Sequence, residues 1–450
     1  MINSSNHKSC SARPTQAGRA LLLLVVSLLL IINKTTAQDE ISGMRYPINP
    51  VVDTLHPIAL QPIIDRAEAG ETIKLGAHLY LGPVHINKSR LTIDGQGQSI
   101  VTGLDEESVF YLDADSITLK NMVITNSGGS HDKIDCGVKV IGSYNTIENC
   151  RIKECLFGID IFQSNFNTIS RCEISSLSRR AKALKGDAIR LWWAKRNVVQ
   201  NNYWHDVRDM VVWYSEENLF EENLGIGNRY SIHFMYAHNN RIRANRFYEN
   251  SVGVFLMYSE RTIMTENVIM KSTGESGMCL GMKETSSNQI LNNHFIYSAE
   301  GIHFDVSPFV PEKINTIENN EIAFCVAGMF FHTNQEGNLI KNNYFHNNLS
   351  QVVAQGNTAN GNQWQNNYFD DYQGFDRDGD NVGDTPYELY TYVDHLWDFN
   401  QNMKFFYASP VLLVLDFLER LAPFSKPKFI LRDKTPMYRK EMTHTLKFDK

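Results

Sequence analysis

Short stretches of alternating apolar and polar residues run through most of the chain and indicate short β-strands. From Gly137 onward, each stretch begins near a small residue and ends in a turn that contains asparagine. The pattern repeats about every 22 residues, as a comparison of Tyr230–Tyr236 (YSIHFMY) with Val252–Tyr258 (VGVFLMY) shows. A fixed period of this length is typical of a solenoid in which each repeat stacks on the next.

Two polar columns mark the turns of the repeat. The first consists of Asn145, Asn167, Asn197, Asn218, Asn240, Thr262, Asn288, Asn315, Asn338 and Asn362. The second consists of Cys150, Cys172, Asn202, Asn223, Asn245, Asn267, Asn293, Asn320, Asn343 and Asn367. Asparagine tolerates the left-handed backbone conformation, and stacked copies can bond to one another, so both columns are interpreted as structural. The period excludes helical repeats and predicts an all-β fold, a right-handed parallel β-helix with coils of about 22 residues.

The residue pattern at both ends of the repeat array differs from that of the repeats. Pro57–Gly70 predicts a short N-terminal helix that caps the first strand layer. Near the other end, Ser409–Pro423 predicts an amphipathic C-terminal helix that is too short and too charged to span a bilayer. Its apolar side consists of Val411, Leu412, Leu415, Leu418 and Leu421. This helix is expected either to cap the β-helix or to dock on a membrane partner.

The first 37 residues are expected to be a secretory signal peptide, because basic residues precede an apolar run and Ala37 offers a small residue for cleavage. The alternative is a retained membrane anchor. The remaining chain is divided by its patterns into an N-terminal cap with the first coils, regular repeats, an acidic loop region, and a C-terminal helix and tail: residues 38–136, 137–370, 371–400 and 401–450.

A net charge of -7 makes nucleic acid an unexpected partner. Six cysteines remain after cleavage and permit disulfides in an oxidising compartment.

Strand alternation places an unusual set of side chains on the outward face of the repeats. Exposed strand positions normally carry Thr, Lys, Glu and Ser, whereas this face carries Trp, Phe, His and Met over adjacent coils. Thioether, thiolate and imidazole groups are the ligands that select Cu(I). The predicted copper ligands are His233, Met235, Met257, Cys279, Met282, His303 and His332. Met278 and Met329 are interpreted as core residues, and the alternative to a metal site is a second small core covered by another segment.

Carboxylates on the same face raise the alternative of a carbohydrate-active enzyme. Asp160 and Asp305 are expected six coils apart, which is too far for a pair acting on one glycosidic bond. Asp187 and Asp209 are closer together, and the arginines nearby would suit a lyase or a hydrolase. The sequence lacks the Asn-Thr-Asp, Gly-Asp-Asp and Gly-His-Gly signatures of polygalacturonases. A binding protein with no catalytic residues is therefore the favoured interpretation.

A second candidate cation site follows the last full repeat, where aspartates alternate with other residues around glycines. The predicted oxygen ligands are Asp376, Asp378, Asp380, the carbonyl of Val382, and Asp384. Such oxygen donors suit a structural Ca²⁺ and are poor copper ligands. The segment lacks the glutamate at position twelve of an EF-hand. The alternative is a solvated acidic turn.

Three segments together resemble the NosD family of periplasmic accessory proteins for the maturation of nitrous oxide reductase. They are the HFMY and FLMYS pair within His233–Ser259, the acidic segment Asn366–Glu388, and the tail Ser409–Pro427. The resemblance covers nearly the whole chain after the expected signal peptide.

The resemblance implies a periplasmic β-helix that sits on an ABC transporter made of permease and ATPase subunits. It further implies that copper is received from a lipoprotein chaperone and passed to the apo-reductase, with ATP hydrolysed by a partner subunit. The function predicted is transient handling of Cu(I) in denitrification. An exported carbohydrate-active enzyme or carbohydrate-binding β-helix remains the alternative.

Overall fold

The computed structural model describes residues 48–274, 277–334, 336–356, 358–391, 409–421 and 427–439. The expected signal peptide lies outside these residues. The chain forms a right-handed parallel β-helix of about 14 turns, as the repeat pattern predicts. Each regular coil contributes strands to three parallel ladders, so a given position of the repeat lies directly above the same position of the previous coil.

One ladder is a separate 12-stranded parallel sheet, which we call the front sheet. Its strands are β4 (Val84–Ile86), β6 (Phe110–Leu112), β8 (Cys136–Val140), β11 (Phe157–Phe162), β14 (Ile189–Trp192), β17 (Asp209–Trp213), β20 (Tyr230–Met235), β23 (Val252–Met257), β26 (Met278–Lys283), β29 (Glu300–Asp305), β32 (Ala327–Phe331) and β35 (Ser350–Ala354).

The other two ladders share the long strands β5 (Thr92–Thr102) and β7 (Thr118–Thr125) and so merge into a 25-stranded sheet. The ladder that follows the first turn column contains β2 (Thr72–Lys74), β9 (Thr146–Glu148), β12 (Thr168–Ser170), β15 (Val198–Gln200), β18 (Leu219–Glu221), β21 (Arg241–Arg243), β24 (Ile263–Thr265), β27 (Gln289–Leu291), β30 (Asn315–Glu318), β33 (Asn338–Lys341) and β36 (Gln363–Gln365). The ladder that follows the second contains β1 (Asp53–Ala59), β3 (His78–Leu81), β10 (Arg151–Lys153), β13 (Glu173–Ile174), β16 (Tyr203–His205), β19 (Leu224–Ile226), β22 (Arg246–Tyr248), β25 (Val268–Met270), β28 (His294–Ile296), β31 (Glu321–Ala323), β34 (Tyr344–His346) and β37 (Tyr368–Phe369).

The core is a column of apolar side chains enclosed by the three ladders. In the front sheet, Ile232 and Phe234 point inward and pair in register with Val254 and Leu256 of the next coil. All four are fully buried, and each contributes roughly 1.5–3 kcal/mol of burial free energy before the loss of entropy is counted. The six cysteines of the described chain are also buried, and none of them forms a disulfide.

Both asparagine columns form hydrogen-bonded ladders, as predicted. In the second column, the backbone N–H and the side-chain amide of Asn223 both donate to Asn245 Oδ1 on the next coil, at 3.0 and 2.9 Å. The side-chain amide also donates to the carbonyl of Val199 on the previous coil. Each asparagine therefore ties together three consecutive coils.

The left-handed residue of each turn differs from the one expected. The ladder asparagines themselves have ordinary backbone angles, and in most coils the residue before them has the positive φ, as Arg196, Asn201, Glu217 and Glu222 illustrate. The asparagine side chain thereby turns into the coil to reach its neighbours, while the preceding residue makes the sharp bend.

The N-terminal end is closed by the helix α1 (Gln61–Arg66). It is shorter than predicted because β1 includes Pro57 and pairs with β3. The Gln61 side chain bonds to the backbone of His85 in the first front-sheet strand. Lys88 Nζ donates to the carbonyls of Asp65 and Ala67 at the end of the helix, at 2.6 and 2.8 Å.

The C-terminal end is closed by an antiparallel strand pair, β38 (Tyr387–Thr391) and β39 (Lys428–Asp433). Asp433 is fully buried, and its Oδ2 accepts the backbone N–H and the side-chain amide of Asn367, both at 2.9 Å. The other carboxylate oxygen accepts the N–H of Thr435. An aspartate ends the second asparagine ladder because its carboxylate accepts hydrogen bonds and leaves no amide donor unpaired beyond it.

The predicted C-terminal helix is present as α2 (Pro410–Leu421). Its described apolar side chains are exposed, among them Val411, Leu415 and Leu418 of the predicted set, together with Val414 and Phe417. The side chains of Leu412 and Leu421 lie outside the description. Among the helices of the described residues, none is long and apolar enough to cross a membrane.

We expect Asp433→Ala to open the last coil. The substitution leaves the buried donors of Asn367 unpaired, and each such donor costs about 1–3 kcal/mol. Hydrogen exchange of the β36 and β37 amides should accelerate by about a hundredfold, which corresponds to about 3 kcal/mol. Asp433→Asn is the matched control, because its amide oxygen keeps one acceptor and should retain most of the protection. Wild-type exchange rates in the alanine variant would show that the ladder does not depend on this carboxylate.

Candidate metal centre

The outward positions of the front sheet form columns that run across the coils. In one column, Val211, His233 and Phe255 are register partners on β17, β20 and β23. In the next column, Trp213, Met235 and Met257 are partners on the same three strands. His233 thus lies between Val211 and Phe255 in its column and two positions from Met235 on the same outward face.

His233 sits in a cage of aromatic rings. Tyr230 stacks on the imidazole at 4.9 Å between ring centroids, while Trp213 and Phe255 meet it edge to face at 5.8 and 5.9 Å. Both ring nitrogens of His233 are buried, and neither has a hydrogen-bond partner among the described residues. Burial lowers the pKa of His233 below its ordinary value, and so favours the neutral imidazole, the form that binds metals.

Met235 and Met257 provide the thioether groups of the same surface. Both are half-buried, and they are direct register partners on adjacent parallel strands. Adjacent strands are about 4.8 Å apart, and same-face residues along one strand are about 6.6 Å apart, so the three side chains can meet at one ion. Two thioethers and one neutral imidazole form a donor set that suits Cu(I). The structure therefore brings together the three residues that the sequence grouped most tightly.

Cys279 and Met282 do not belong to this surface, and their predicted outward orientation is wrong. Met282 pairs with Leu256 and Phe304 in the inward column and is fully buried. Cys279 is fully buried as well, with its Sγ 2.9 Å from Ser298 Oγ. Desolvation raises the pKa of the Cys279 thiol far above its usual value, so the thiolate that copper requires is disfavoured.

The error arose from the choice of the small residue that starts this coil. The sequence offers Gly277, but Cys279 occupies the structural place that Gly253 holds one coil earlier. The register is therefore shifted by two residues. As a result Met278, which was interpreted as core, pairs with Val252 and Glu300 in an outward column of the front sheet.

His303 and His332 form a separate group further along the same face. The rings are 6.3 Å apart, and Phe330 stacks on His303 at 5.2 Å. His303 Nδ1 is 2.6 Å from Glu300 Oε2, and His332 Nδ1 is 2.9 Å from Gln355 Oε1. From His233 the register runs through Phe255 and Gly281 to His303, three coils away, so these residues cannot share one ion with His233.

The carboxylates at the other side of His233 are held by arginines. Asp160, Asp187 and Asp209 are only 2, 3 and 1 % exposed. Arg190 binds Asp160 at 2.8 Å, Arg208 binds Asp187 at 3.0 Å, and Arg229 binds Asp209. Burial raises the pKa of Asp187 to about 7; Arg208 lowers it, and the nearby charge of Asp209 adds to the increase. These aspartates form a buried ionic cluster and do not present free carboxylates to a solvent-borne substrate.

The acidic loop brings three of its five predicted ligands together. The carboxylates of Asp376, Asp378 and Asp380 have oxygens within 4.8 Å of one another. Asp384 is outside this group, and its Oδ2 accepts the N–H of Arg377 at 3.0 Å. The loop is also tied to the tail, because Asn381 Oδ1 accepts the N–H of Arg439. A cation bound here would consequently stabilise the C-terminal closure.

The hydrogen bonds of the described tail lie away from the copper candidate residues. Its hydrogen bonds reach the last coil, where Lys428 Nζ donates to the carbonyl of Ala354 and Ile430 O accepts from Ala359. Among the described residues, no tail hydrogen bond or ring contact reaches His233. The described structure therefore gives no support to the alternative in which the tail turns this face into a second core.

The fold and this face define a parallel β-helix protein with soft metal donors on one outward surface. Residues 171–374 match the family described as "Periplasmic copper-binding protein (NosD)". The matched range includes the whole copper candidate surface, from His233 to His332.

Two curated relatives carry the name "Probable ABC transporter binding protein NosD". The one from Stutzerimonas stutzeri is 33% identical over 116 residues, which are 25% of this chain and 26% of that protein. The one from Pseudomonas aeruginosa is 32% identical over 127 residues, which are 28% of this chain and 29% of that protein. The chain thus matches less than a third of the length of either relative.

Solved structures of other proteins share the β-helix. The A-module of the mannuronan C-5 epimerase AlgE6 from Azotobacter vinelandii superposes with a TM-score of 0.54 at 14% identity, covering 68% of this chain and 93% of that one. A mannuronic acid specific family 6 lyase from human gut microbiota gives a TM-score of 0.50 at 11% identity, covering 70% and 86%. At these identities the likeness shows the fold alone.

We expect Asp187→Asn to change how stability depends on pH. The folded pKa of about 7 lies above the unfolded value of 3.8, so the contribution of Asp187 is fully present below the unfolded pKa. It is lost as the pH rises towards the folded pKa. The free energy of unfolding of the wild type should fall relative to the variant by up to about 1.4 kcal/mol per pH unit between pH 5 and 7. Urea denaturation at several pH values measures this difference, and parallel pH profiles would contradict the assignment.

We propose that the acidic loop binds Ca²⁺, and we expect Ca²⁺ to raise the thermal midpoint of the protein. A ligand that binds only the folded state stabilises it by about 2.7 kcal/mol at a hundredfold excess over its dissociation constant. Asp378→Ala should abolish the Ca²⁺-dependent shift, since this exposed carboxylate belongs to the cluster. Asp132→Ala is the control, because Asp132 is exposed and lies outside the loop. An equal shift in wild type and Asp378→Ala would leave a solvated acidic turn as the explanation.

Proposed function

We propose that this protein is a periplasmic copper-binding component of an ABC transporter system, and that it handles Cu(I) for the maturation of nitrous oxide reductase. The observation that carries the proposal is the environment of His233, whose two ring nitrogens are buried without hydrogen-bond partners among the described residues. The family description supports copper binding, and the names of the two relatives support the link to a transporter.

Leaving His233 unpaired is unfavourable for folding. A buried polar atom without a partner costs about 1–3 kcal/mol, and here two atoms of one ring are in that state. The aromatic cage holds the ring through Tyr230, Trp213 and Phe255, and none of these contacts satisfies a nitrogen. A metal ion would use the lone pair of one ring nitrogen, so binding would satisfy one of the two atoms that folding leaves without a partner.

The position of the site suits transient binding. Met235 and Met257 are half-buried on an outward strand face, so an ion bound there would remain within reach of a partner. Thioethers are neutral ligands, and a site with few ligands can give its ion up by ligand exchange. We propose that a lipoprotein chaperone supplies copper to this face and that the apo-reductase receives it. The permease and ATPase subunits would provide the membrane attachment and the ATP hydrolysis.

The exposed side of α2 is our candidate for attachment to the transporter. Val411, Leu415 and Leu418 are exposed together on a helix that lies outside the regular coils. We assign them, with Leu412 and Leu421 from the sequence pattern, to docking on a membrane partner.

A carbohydrate-active enzyme is the weaker proposal. The structural neighbours include an epimerase and a lyase, but they show only the fold. An acid or a base must reach its substrate, and Asp160, Asp187 and Asp209 are at most 3 % exposed and are bound by arginines. We therefore propose a binding role without catalysis in this chain.

An anaerobic Cu(I) titration against a chromophoric chelator tests the proposed function. We expect the variant His233→Phe, Met235→Leu, Met257→Leu to bind Cu(I) at this site at least about a hundredfold more weakly, because it replaces all three donors of the site with apolar groups of similar shape. Met329→Leu is the matched control, since Met329 is fully buried in the core. The triple variant should be at least as stable as the wild type, because two unpaired buried nitrogens are removed.

The two readouts together separate binding from folding. A stable triple variant that binds Cu(I) as tightly as the wild type at this site would overturn the assignment of these three ligands. Wild-type protein that takes no Cu(I) from the chelator would overturn direct binding by this chain.

A further inference from the structure

We propose that the front sheet carries a second, separate soft-metal site, formed by Met278, His303 and His332. The inference rests on the proposed copper function and extends it from one site to two. The second site lies three coils from His233, at a distance of roughly 14 Å for a coil spacing of about 4.8 Å. One ion cannot contact donors at both places, so the proposal predicts two bound ions.

Met278 provides the thioether of the second site. Met278 lies on the outward face of β26, three residues before Gly281. A Cβ built on Gly281 would be 2.8 Å from Met278 Sδ and closer still to the ring of Phe255. The side chain of Met278 therefore lies over that glycine. Gly281 is therefore a gap in the column of larger side chains, and the Phe255 ring and the Met278 sulfur fill it together. The register partner of Gly281 on the next coil is His303, so the sulfur lies over the strand position that is next to His303.

Glu300 fixes the orientation of His303. The carboxylate Oε2 is 2.6 Å from Nδ1, and the neutral imidazole donates its Nδ1–H to it. The lone pair of the neutral ring is then on Nε2, which becomes the nitrogen available to a metal. A histidine that binds a metal through one ring nitrogen commonly donates the N–H of its other ring nitrogen to a carboxylate. This hydrogen bond makes the imidazole a stronger ligand.

His332 completes the donor set from the next coil. Its ring is 6.3 Å from that of His303, and Nδ1 is 2.9 Å from the side-chain oxygen of Gln355. His332 is exposed, whereas the His303 side chain is only 18% exposed. The second site is consequently the more open of the two, and it contains two imidazoles and one thioether where the first contains one imidazole and two thioethers.

A lysine separates the two sites in the neighbouring column. Lys283 is the register partner of Met257, and its Nζ is 2.8 Å from Asp305 Oδ2 on the following coil. An ammonium group repels a metal cation, and Asp305 is already paired with it. A cation that moved between the sites would therefore pass over Gly281 and Met278 rather than along the Met257 column.

The test is the stoichiometry of anaerobic Cu(I) binding by the full-length protein, measured against a chromophoric chelator. We expect two equivalents for the wild type and one for Met278→Leu, His303→Gln, with the affinity of the lost equivalent reduced at least about tenfold. Met282→Leu is the matched control on the same strand, because this methionine points into the core and should leave two equivalents. Ag(I) titrations provide a redox-inert repeat of each measurement.

The outcomes distinguish this inference from the proposed function. One equivalent in the wild type that is lost in the His233, Met235 and Met257 variant but unaffected by Met278→Leu, His303→Gln would overturn the second site and keep the first. One equivalent that depends only on Met278 and His303 would support the second site and overturn the first. Equal loss in Met278→Leu, His303→Gln and in Met282→Leu would also overturn the inference, because it would assign the effect to packing.

Discussion

The hydrogen bonds between stacked asparagines are the interaction on which the other features of the molecule depend. Each bond fixes one coil directly above the previous one, as the link from Asn223 to Asn245 does beside the copper candidate surface. A shift of register by one residue would turn every inward side chain of a coil outward. The pairing of Met235 with Met257, on which the proposed site rests, is therefore a consequence of buried amides on another side of the coil.

One side chain of the proposed metal surface makes the free energy of folding less favourable. The core of each coil is apolar and closely packed, but His233 is placed among aromatic rings with its nitrogens unpaired. Asp160, Asp187 and Asp209, which precede it, are each matched by an arginine. The charged groups on one side of His233 thus have partners of opposite charge. The two ring nitrogens of His233 itself have no hydrogen-bond partner among the described residues.

Much of the fold was predictable because the repeat is read directly from the positions of asparagine. The period and the alternation of Ile232 and Phe234 with His233 and Met235 were enough to place the last two on the outward face. The same reasoning failed two coils later, since Gly277 looks like the small residue of the repeat although Cys279 occupies that place. A shift of two residues preserves the alternation itself, but the residue directly before the small residue points outward, as Tyr230 and Glu300 do. Met278 holds that position in its coil and therefore lies on the outward face, whereas Met282 lies in the core.

Other features had no local signal in the sequence. The aspartate that ends the ladder, Asp433, is 66 residues from its partner Asn367, and nothing in the β39 segment marks it as part of the repeat. The burial of Asp187 beneath Arg208 depends on three-dimensional packing, as does the absence of partners around the His233 ring. Sequence patterns give the face on which a side chain lies, whereas its solvation depends on its neighbours across the coils.

The closure by Asp433 also sets an order of assembly. The coils before it can stack one after another as the chain becomes available, because the acceptor for each asparagine lies on the coil that follows directly in the sequence. The last coil needs a strand that follows it by tens of residues, since Asn367 finds its acceptor only on β39. A chain that emerges from its N-terminus, whether from a ribosome or through a membrane, therefore keeps an open edge until β39 has appeared, and a truncated product would present that edge to other chains.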